Sequence, residues 1–241
     1  MTKMKLFTLP NFLTLGNLFS GCLAILYLTH QFEVTSEKMI QTVFLLMLVS
    51  LFCDFLDGMV ARKMKINSAL GVQLDSMADM VSFGVVPGIM AMKMFQATEM
   101  PFEVWAYFGL LITLFSALRL AKFNIDTEQS TYFKGLATPA NTILLFSLYW
   151  IQIHSGEIFS QNIDLYFLTA LTALSSYLLI ANVPLFSFKF KGLGWKENDY
   201  KFIFILLCLL LLLIFKMVAV PFILILYILL SLFYRKKIIH A

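Results

Sequence analysis

Residues 51–80 read LFCDFLDGMVARKMKINSALGVQLDSMADM, two apolar stretches that carry aspartates and are joined by a short basic segment. Asp54 and Asp57 are three residues apart, and Asp75 and Asp79 are four apart. Residues at these spacings project from the same face of a helix. The segment therefore predicts two antiparallel membrane helices whose carboxylates converge beside the loop that joins them.

The whole chain has the composition of an integral membrane protein. Of its 241 residues, 60% are hydrophobic and 13% are charged, whereas soluble domains contain about 45–50% apolar and about 25% charged residues. The net charge of +4 is small, and its basic residues form short clusters between apolar runs. These clusters leave no groove-sized basic patch for nucleic acid. We predict an all-α protein embedded in the lipid bilayer, with no nucleic-acid partner.

Eight apolar segments approach the length of about 20 residues that a helix needs to cross a bilayer. They cover residues 11–28, 39–58, 71–95, 102–121, 138–153, 165–185, 202–215 and 218–234. With eight spans, fifteen of the eighteen lysines and arginines fall on the side of the N-terminus, and the exceptions are Lys38, Lys93 and Lys216. Basic loops stay in the cytoplasm, so both termini and the aspartates are expected at the cytoplasmic face, in a bacterial-type inner membrane.

The last two of these segments could also be drawn as one helix. A continuous helix over residues 201–234 would be roughly 50 Å long at 1.5 Å per residue, which is too long for the bilayer without extreme tilt. Lys216 and Pro221 offer a turn between two shorter helices. We therefore expect a C-terminal helical pair.

The aspartates of residues 51–80 indicate a metal site. Four carboxylates inserted in a membrane would cost on the order of 10 kcal/mol at the bilayer centre, so something must neutralise them. Clustered carboxylate oxygens suit Mg²⁺ or Mn²⁺, above all where a substrate phosphate supplies further ligands. Alternatively, individual aspartates are neutral or are paired with Arg62 or Lys65.

Small residues near the same loop would let a phosphate or a nucleotide approach the backbone. Gly58, Ala61 and Gly71 leave room at the mouth of the helix pair. Arg62 presents a planar fork of donors that matches phosphate oxygens.

With its spacing, this part of the sequence resembles the signature of the CDP-alcohol phosphotransferase family. The matching positions are Asp54-x2-Asp57-Gly58-x2-Ala61-Arg62-x8-Gly71-x3-Asp75-x3-Asp79. Segments that begin at Ser82, Arg119 and Phe133 resemble the membrane-type phosphatidylserine synthases within that family. One departure is Ala137 followed by Thr138-Pro139, where such synthases commonly read Gly-Leu-Pro-x-Pro.

The resemblance implies a six-helix catalytic core that is usually homodimeric. Residues 1–200 would form this core, and residues 201–241 would add a transmembrane hairpin and a basic tail. The implied reaction is metal-dependent transfer of a phosphatidyl group from CDP-diacylglycerol to an alcohol with release of CMP. The phosphatidylserine synthase branch implies L-serine as that alcohol.

The resemblance also implies roles for single residues. Asp54, Asp57 and Asp75, with help from Asp79, would hold two divalent ions, and Asp79 would be the base for the attacking hydroxyl. The CDP part would be contacted by Gly58, Ala61, Arg62 and Gly71.

Recognition of serine requires a cation and polar groups near the same surface. Arg119, Lys122 and Asn124, at the inner end of the fourth predicted span, are candidates for contacts with serine or phosphate. Arginine and lysine at such a boundary also serve as ordinary topology anchors.

Two other functions remain open from the sequence. A related transferase could use glycerol 3-phosphate or inositol as the acceptor. A cation transporter would also carry intramembrane aspartates, but it predicts charges near the midplane on discontinuous helices. Clustering at one end, beside a basic loop and glycines, favours a site for a lipid phosphate.

Overall fold

The described residues form a bundle of helices with one short strand pair. The computed structural model describes residues 6–29, 35–65, 68–99, 102–126, 132–186 and 195–235. Basic residues of the topology prediction that lie outside these ranges are Lys3, Lys5, Lys189, Lys191, Lys236 and Lys237. The described elements are α1 (Leu9–Leu28), α2 (Ser36–Lys63), α3 (Ala69–Met80), α4 (Val86–Gln96), α5 (Leu111–Ile125), β1 (Tyr132–Lys134), α6 (Thr138–Ser155), α7 (Gln161–Ile180), β2 (Pro184–Phe186), α8 (Trp195–Phe215) and α9 (Ala219–Phe233).

The helices have the length and composition of a multi-pass membrane protein. Six described segments are long and apolar enough to cross a bilayer: Leu9–Leu28, Ser36–Lys63, Ala69–Gln96, Glu103–Ile125, Ile163–Ile180 and Asp199–Phe233. The all-helical membrane architecture is thus confirmed, while the count of eight spans and the location of the termini stay predictions.

α6 is not among these six segments, although the sequence predicts a span there. It carries Asn141, Thr142 and Gln152, all buried, and it packs against α2, α4, α7 and α9. Because neighbouring helices cover most of α6, its buried side chains contact protein rather than lipid, and polar residues are tolerated at these buried positions.

The C-terminal segment Asp199–Phe233 contains two helices, α8 and α9, that run antiparallel. The chain reverses at a short 3₁₀ turn, Lys216–Val218, where Lys216 has a φ of +49°. The ring of Tyr200, at the start of α8, stacks on that of Tyr234, just after α9, with centroids 5.4 Å apart. Phe186 packs against this pair, and its carbonyl accepts a hydrogen bond from the Tyr227 hydroxyl (2.8 Å).

The third predicted span is interrupted where the sequence suggests one continuous helix. A π-helical turn, Val81–Val85, separates α3 from α4. Pro87 has no N–H, so the carbonyl of Phe83 lacks its usual helical donor. The hydroxyl of Thr142 donates to that carbonyl (3.2 Å), and the hydroxyl of Thr113 donates to the carbonyl of Gly84 (3.0 Å). The neighbouring helices thus stabilise the irregular turn directly after Asp79.

Two further bounds differ from the prediction. The fourth span begins as a 3₁₀ helix, Glu103–Leu110, before α5. α7 ends at Ile180 rather than at Leu185, because Pro184 disfavours helical backbone at Val183. The chain then pairs β2 with β1 in an antiparallel register, Phe133 opposite Leu185.

Candidate active site

Three of the four aspartates meet between α2 and α3. Asp54 and Asp57 lie in the last turns of α2, and Asp75 lies in the middle of α3. Each offers a carboxylate oxygen, and these oxygens all lie within 4.8 Å of one another. Like charges at such separations repel strongly in a low-dielectric site. The arrangement therefore calls for a cation.

The chemistry of this cluster fits a divalent ion. Carboxylate oxygens are the ligands that Mg²⁺ and Mn²⁺ prefer. The Oδ1 atom of Asp75 is buried and has no hydrogen-bond partner among the described residues. Neither Arg62 nor Lys65 forms an ion pair with any of the four aspartates in the described part of the chain. The alternative of simple pairing with those two cations is therefore disfavoured.

Asp79 lies one turn deeper on α3 and has different neighbours. Its side chain is 9% exposed, and its Oδ1 accepts a hydrogen bond from Nδ2 of Asn17 on α1 (3.1 Å). Arg119 on α5 is close enough to attract both Asp79 and Asp54 electrostatically. Asp79 thus has a fixed donor and a cation beside it, which distinguishes it from the cluster of three.

α1 contributes a second polar contact to the aspartates. The hydroxyl of Thr14 donates to Oδ2 of Asp57 (2.5 Å), and the more distant carbonyl of Pro10 (3.1 Å) is an alternative acceptor for the same hydrogen. Carboxylates that bind metals are commonly oriented by such hydrogen bonds from outer residues. Thr14 therefore orients Asp57 within the cluster.

A hydrogen-bonded junction holds α1 against the aspartate helices. The backbone carbonyl of Asn17 accepts bonds from the hydroxyls of Ser50 on α2 (3.2 Å) and Ser82 (3.0 Å). Gly21 permits the close approach, because a Cβ there would lie 2.3 Å from Oγ of Ser82. This packing sets the distance between Asn17 and Asp79.

An open cleft of about 390 Å³ lies beside the cluster, within the usual size range of small-ligand sites, about 300–1,000 Å³. Asp57 and Asp75 form part of its wall. All four positions predicted to contact CDP also line the cleft: Gly58, Ala61, Arg62 and Gly71.

The glycines of the cleft leave space that side chains would fill. A Cβ at Gly58 would lie 3.3 Å from Nη1 of Arg62, so the guanidinium folds back over the glycine. A Cβ at Gly71 would lie 3.0 Å from Oγ of Ser68 and 3.4 Å from Oδ1 of Asn11. Ser68 is the N-cap of α3 and accepts from the Gly71 N–H (2.8 Å). The first turn of α3 therefore faces the cleft, and helix N-termini favour phosphate.

The three residues predicted for serine recognition have separate environments. Arg119 is partly buried, and its Nη1 donates to Oγ1 of Thr138 (3.2 Å). Nζ of Lys122 donates to the Ile180 carbonyl (2.9 Å) and to Oδ1 of Asn182 (2.7 Å), so this ammonium group caps α7. Nδ2 of Asn124 donates to Oγ of Ser76 (2.7 Å). Of the three, Arg119 is the one that faces the aspartates.

The roles of Thr14 and Asn17 were not foreseen from the sequence. A signal was present, since Asn11, Thr14 and Asn17 recur at intervals of three on an apolar helix. This spacing places polar groups on one helical face, and all three are buried in the structure.

Known proteins resemble this chain over the same region. A family model described as CDP-alcohol phosphatidyltransferase matches residues 7–186, which include every site residue above and end before α8. A Helicobacter pylori protein named CDP-diacylglycerol–serine O-phosphatidyltransferase is 30% identical over 194 residues, 76% of this chain and 74% of that protein. A Methanocaldococcus jannaschii protein of the same name is 31% identical over 176 residues, 73% and 72% of the two chains. A Bacillus subtilis protein of that name is 36% identical over 131 residues, 54% and 69%. The predicted resemblance is thereby confirmed.

Proposed function

The chain belongs to the CDP-alcohol phosphatidyltransferase family, and we propose that it transfers the phosphatidyl group of CDP-diacylglycerol to the hydroxyl of L-serine, releasing CMP. The names of its relatives support this activity. The structural observation that carries it is the meeting of three carboxylates within 4.8 Å beside a cleft lined by Arg62 and two glycines. Such a site would suit a diphosphate together with divalent cations held by the three carboxylates.

The metal site in this proposal holds two ions, Mg²⁺ or Mn²⁺. Asp54, Asp57 and Asp75 are its ligands, with Asp79 as a fourth. When bound, the ions supply positive charge that polarises the phosphatidyl phosphorus and neutralises the departing CMP. Thr14 orients Asp57 for this task.

The cleft binds the CDP part of the lipid. Arg62 donates to phosphate oxygens through its planar fork, and the first turn of α3 adds backbone N–H groups. Because Gly58, Ala61 and Gly71 have at most a methyl side chain, the nucleotide can approach the backbone there.

In the reaction, the serine oxygen attacks phosphorus in line, and the bond from phosphorus to the CMP oxygen breaks. Asp79 accepts the proton of the serine hydroxyl. Asn17 holds the carboxylate of Asp79 at its Oδ1, so that the second oxygen can face the acceptor. A carboxylate is a weak base for an alcohol, and positioning must therefore carry much of the acceleration.

Arg119 binds the serine carboxylate in this proposal, because it adjoins Asp79. The hydrogen bonds of Lys122 and Asn124 to α7 and α3 favour a supporting role for these two residues.

We place the site at the cytoplasmic face of a bacterial-type inner membrane, where soluble serine and membrane lipid both reach it. The topology has eight spans, a core over residues 1–200 and an added C-terminal hairpin with its basic tail. The active form is a homodimer. The positions of the basic residues support the orientation, and the end of the family match at residue 186 supports the division.

The test is CMP release by the purified chain in lipid vesicles that contain CDP-diacylglycerol. Serine, glycerol 3-phosphate and inositol are each supplied with a radiolabel, with and without Mg²⁺ or Mn²⁺. We expect labelled lipid and CMP with serine, and neither after chelation. Labelled lipid with another acceptor alone would reassign the alcohol. Absence of CMP with every acceptor, together with cation flux, would favour a transporter and refute the proposal.

A further inference from the structure

Three buried polar side chains, one each on α5, α6 and α7, have no hydrogen-bond partner among the described residues. We call Ser116, Asn141 and Ser176 the polar cluster; their exposures are 0%, 0% and 2%. Oγ of both serines, and both Nδ2 and Oδ1 of Asn141, have no partner among the described residues. Burying such groups unpaired is unfavourable, whereas apolar residues of similar volume would pack there without that cost. The polar cluster therefore indicates a ligand.

Hydrogen bonds of Arg119 and Lys122 to α6 and α7 place the three residues of the polar cluster within about one helical turn of the level of Arg119. Ser116 precedes Arg119 by one turn on α5. Arg119 donates to Thr138 (3.2 Å), which precedes Asn141 by one turn on α6, so both α6 residues share a face. Lys122 donates to the Ile180 carbonyl (2.9 Å), which aligns the end of α5 with the end of α7. Ser176 lies one turn before Ile180, at the level of Arg119.

Arg119 links the polar cluster to the reacting groups. It attracts Asp79 and Asp54 electrostatically. None of Ser116, Asn141 and Ser176 lines the cleft formed by Asp57 and Asp75. A ligand of the polar cluster would therefore reach Asp79 without occupying the place assigned to CDP.

We infer that the polar cluster binds the ammonium group of the acceptor amino acid, an inference that rests on the proposed function. Oδ1 of Asn141 and the hydroxyls of Ser116 and Ser176 accept hydrogen bonds from the ammonium. Nδ2 of Asn141 joins Arg119 in donating to the carboxylate. The acceptor hydroxyl then points toward Asp79. An alcohol without the ammonium leaves these groups unpaired, and sites of this kind reject such analogues strongly.

The test compares two acceptors in the full chain. L-serine and 3-hydroxypropanoate share the hydroxyl and the carboxylate, but the second lacks the ammonium. Asn141→Leu keeps the branched arrangement of the side-chain heavy atoms and removes both polar atoms of the amide. We expect the KM for serine to rise on the order of tenfold, as for a lost hydrogen bond to a charged group. The preference for serine over 3-hydroxypropanoate should shrink by the part of this rise that comes from Oδ1, because the lost Nδ2 contact to the carboxylate weakens both acceptors equally. The KM for CDP-diacylglycerol should stay unchanged.

Ser147→Ala is the matched control on α6. Ser147 is also buried, but its hydroxyl already has a partner, since it donates to the Leu144 carbonyl (2.7 Å). Loss of this hydroxyl should therefore change neither the KM for serine nor that for 3-hydroxypropanoate. A folded Asn141→Leu enzyme with the wild-type serine KM and acceptor preference would overturn the inference and assign the polar cluster to packing or water. If that variant does not fold, Ser116→Ala decides by the same measurements. Failure of the wild-type enzyme to use serine would instead refute the proposed function.

Discussion

Replacing Thr14 with valine tests whether the hydrogen bond from α1 to Asp57 raises the metal affinity of the proposed site. Valine has nearly the same shape as threonine, so the change removes the hydroxyl and little else. Thr14 is 3% exposed, and its hydroxyl donates to Oδ2 of Asp57 at 2.5 Å. The variant therefore leaves a carboxylate of the proposed metal site without its orienting donor.

The expected size of the effect follows from that single bond. Hydrogen bonds to charged groups contribute about 1.5–3 kcal/mol, and loss of an outer partner of a metal ligand typically costs about 10- to 100-fold in metal affinity or activity. We expect the Mg²⁺ or Mn²⁺ concentration for half-maximal CMP release to rise by about tenfold or more. The rate at saturating metal should recover most of its wild-type value.

Thr42→Val is the control for this substitution. Thr42 donates to the carbonyl of Lys38 (2.8 Å), as Thr14 can to that of Pro10, but Thr42 is only half-buried and lies near the start of α2. It should leave the metal titration unchanged. A Thr14→Val enzyme with an unchanged half-maximal metal concentration, or with a lost rate that metal does not restore, would refute the orienting role of Thr14.

Three other substitutions examine the base, the acceptor site and the packing of α1. Asp79→Asn should abolish transfer in purified, membrane-inserted protein, since the amide cannot accept the serine proton; an undiminished rate would rule Asp79 out as the base. Arg119→Ala should raise the KM for serine by about tenfold or more through loss of a charged hydrogen bond, and an unchanged KM would show that Arg119 does not contact the carboxylate. Gly21→Ala should lower stability by about 1–3 kcal/mol through overpacking, because its Cβ would lie 3.0 Å from the Cα atom of Ser82. Gly16→Ala on the same helix meets only Sγ of Cys53 at 3.3 Å, so an equal loss of thermal stability in both variants would contradict this account.

The π-helical turn after Asp79 shows why part of the fold could not be predicted from the local sequence pattern. The apolar run of residues 71–95 predicts one helix, and Pro87 by itself marks a kink without specifying its form. The π-helical turn is stabilised by hydroxyls of Thr113 and Thr142. These come from α5 and α6, so the irregular turn depends on the packing of distant helices.

The sequence by itself determined the membrane character, the family and the acidic site. Composition and the lengths of apolar runs are read directly from the sequence. Helical periodicity then places Asp54 with Asp57, and Asp75 with Asp79, on common helix faces within residues 51–80. Such features need no knowledge of tertiary contacts. A short loop between antiparallel helices then makes the carboxylates neighbours.

Only the tertiary structure decided which residues support those carboxylates. Thr14 and Asn17 contact aspartates 43 and 62 positions away in the sequence, and Arg119 on α5 donates a hydrogen bond to Thr138 on α6. Nothing in the local pattern relates these polar residues to their partners. Their roles depend on the crossing and rotation of separate helices, which packing determines over the whole bundle.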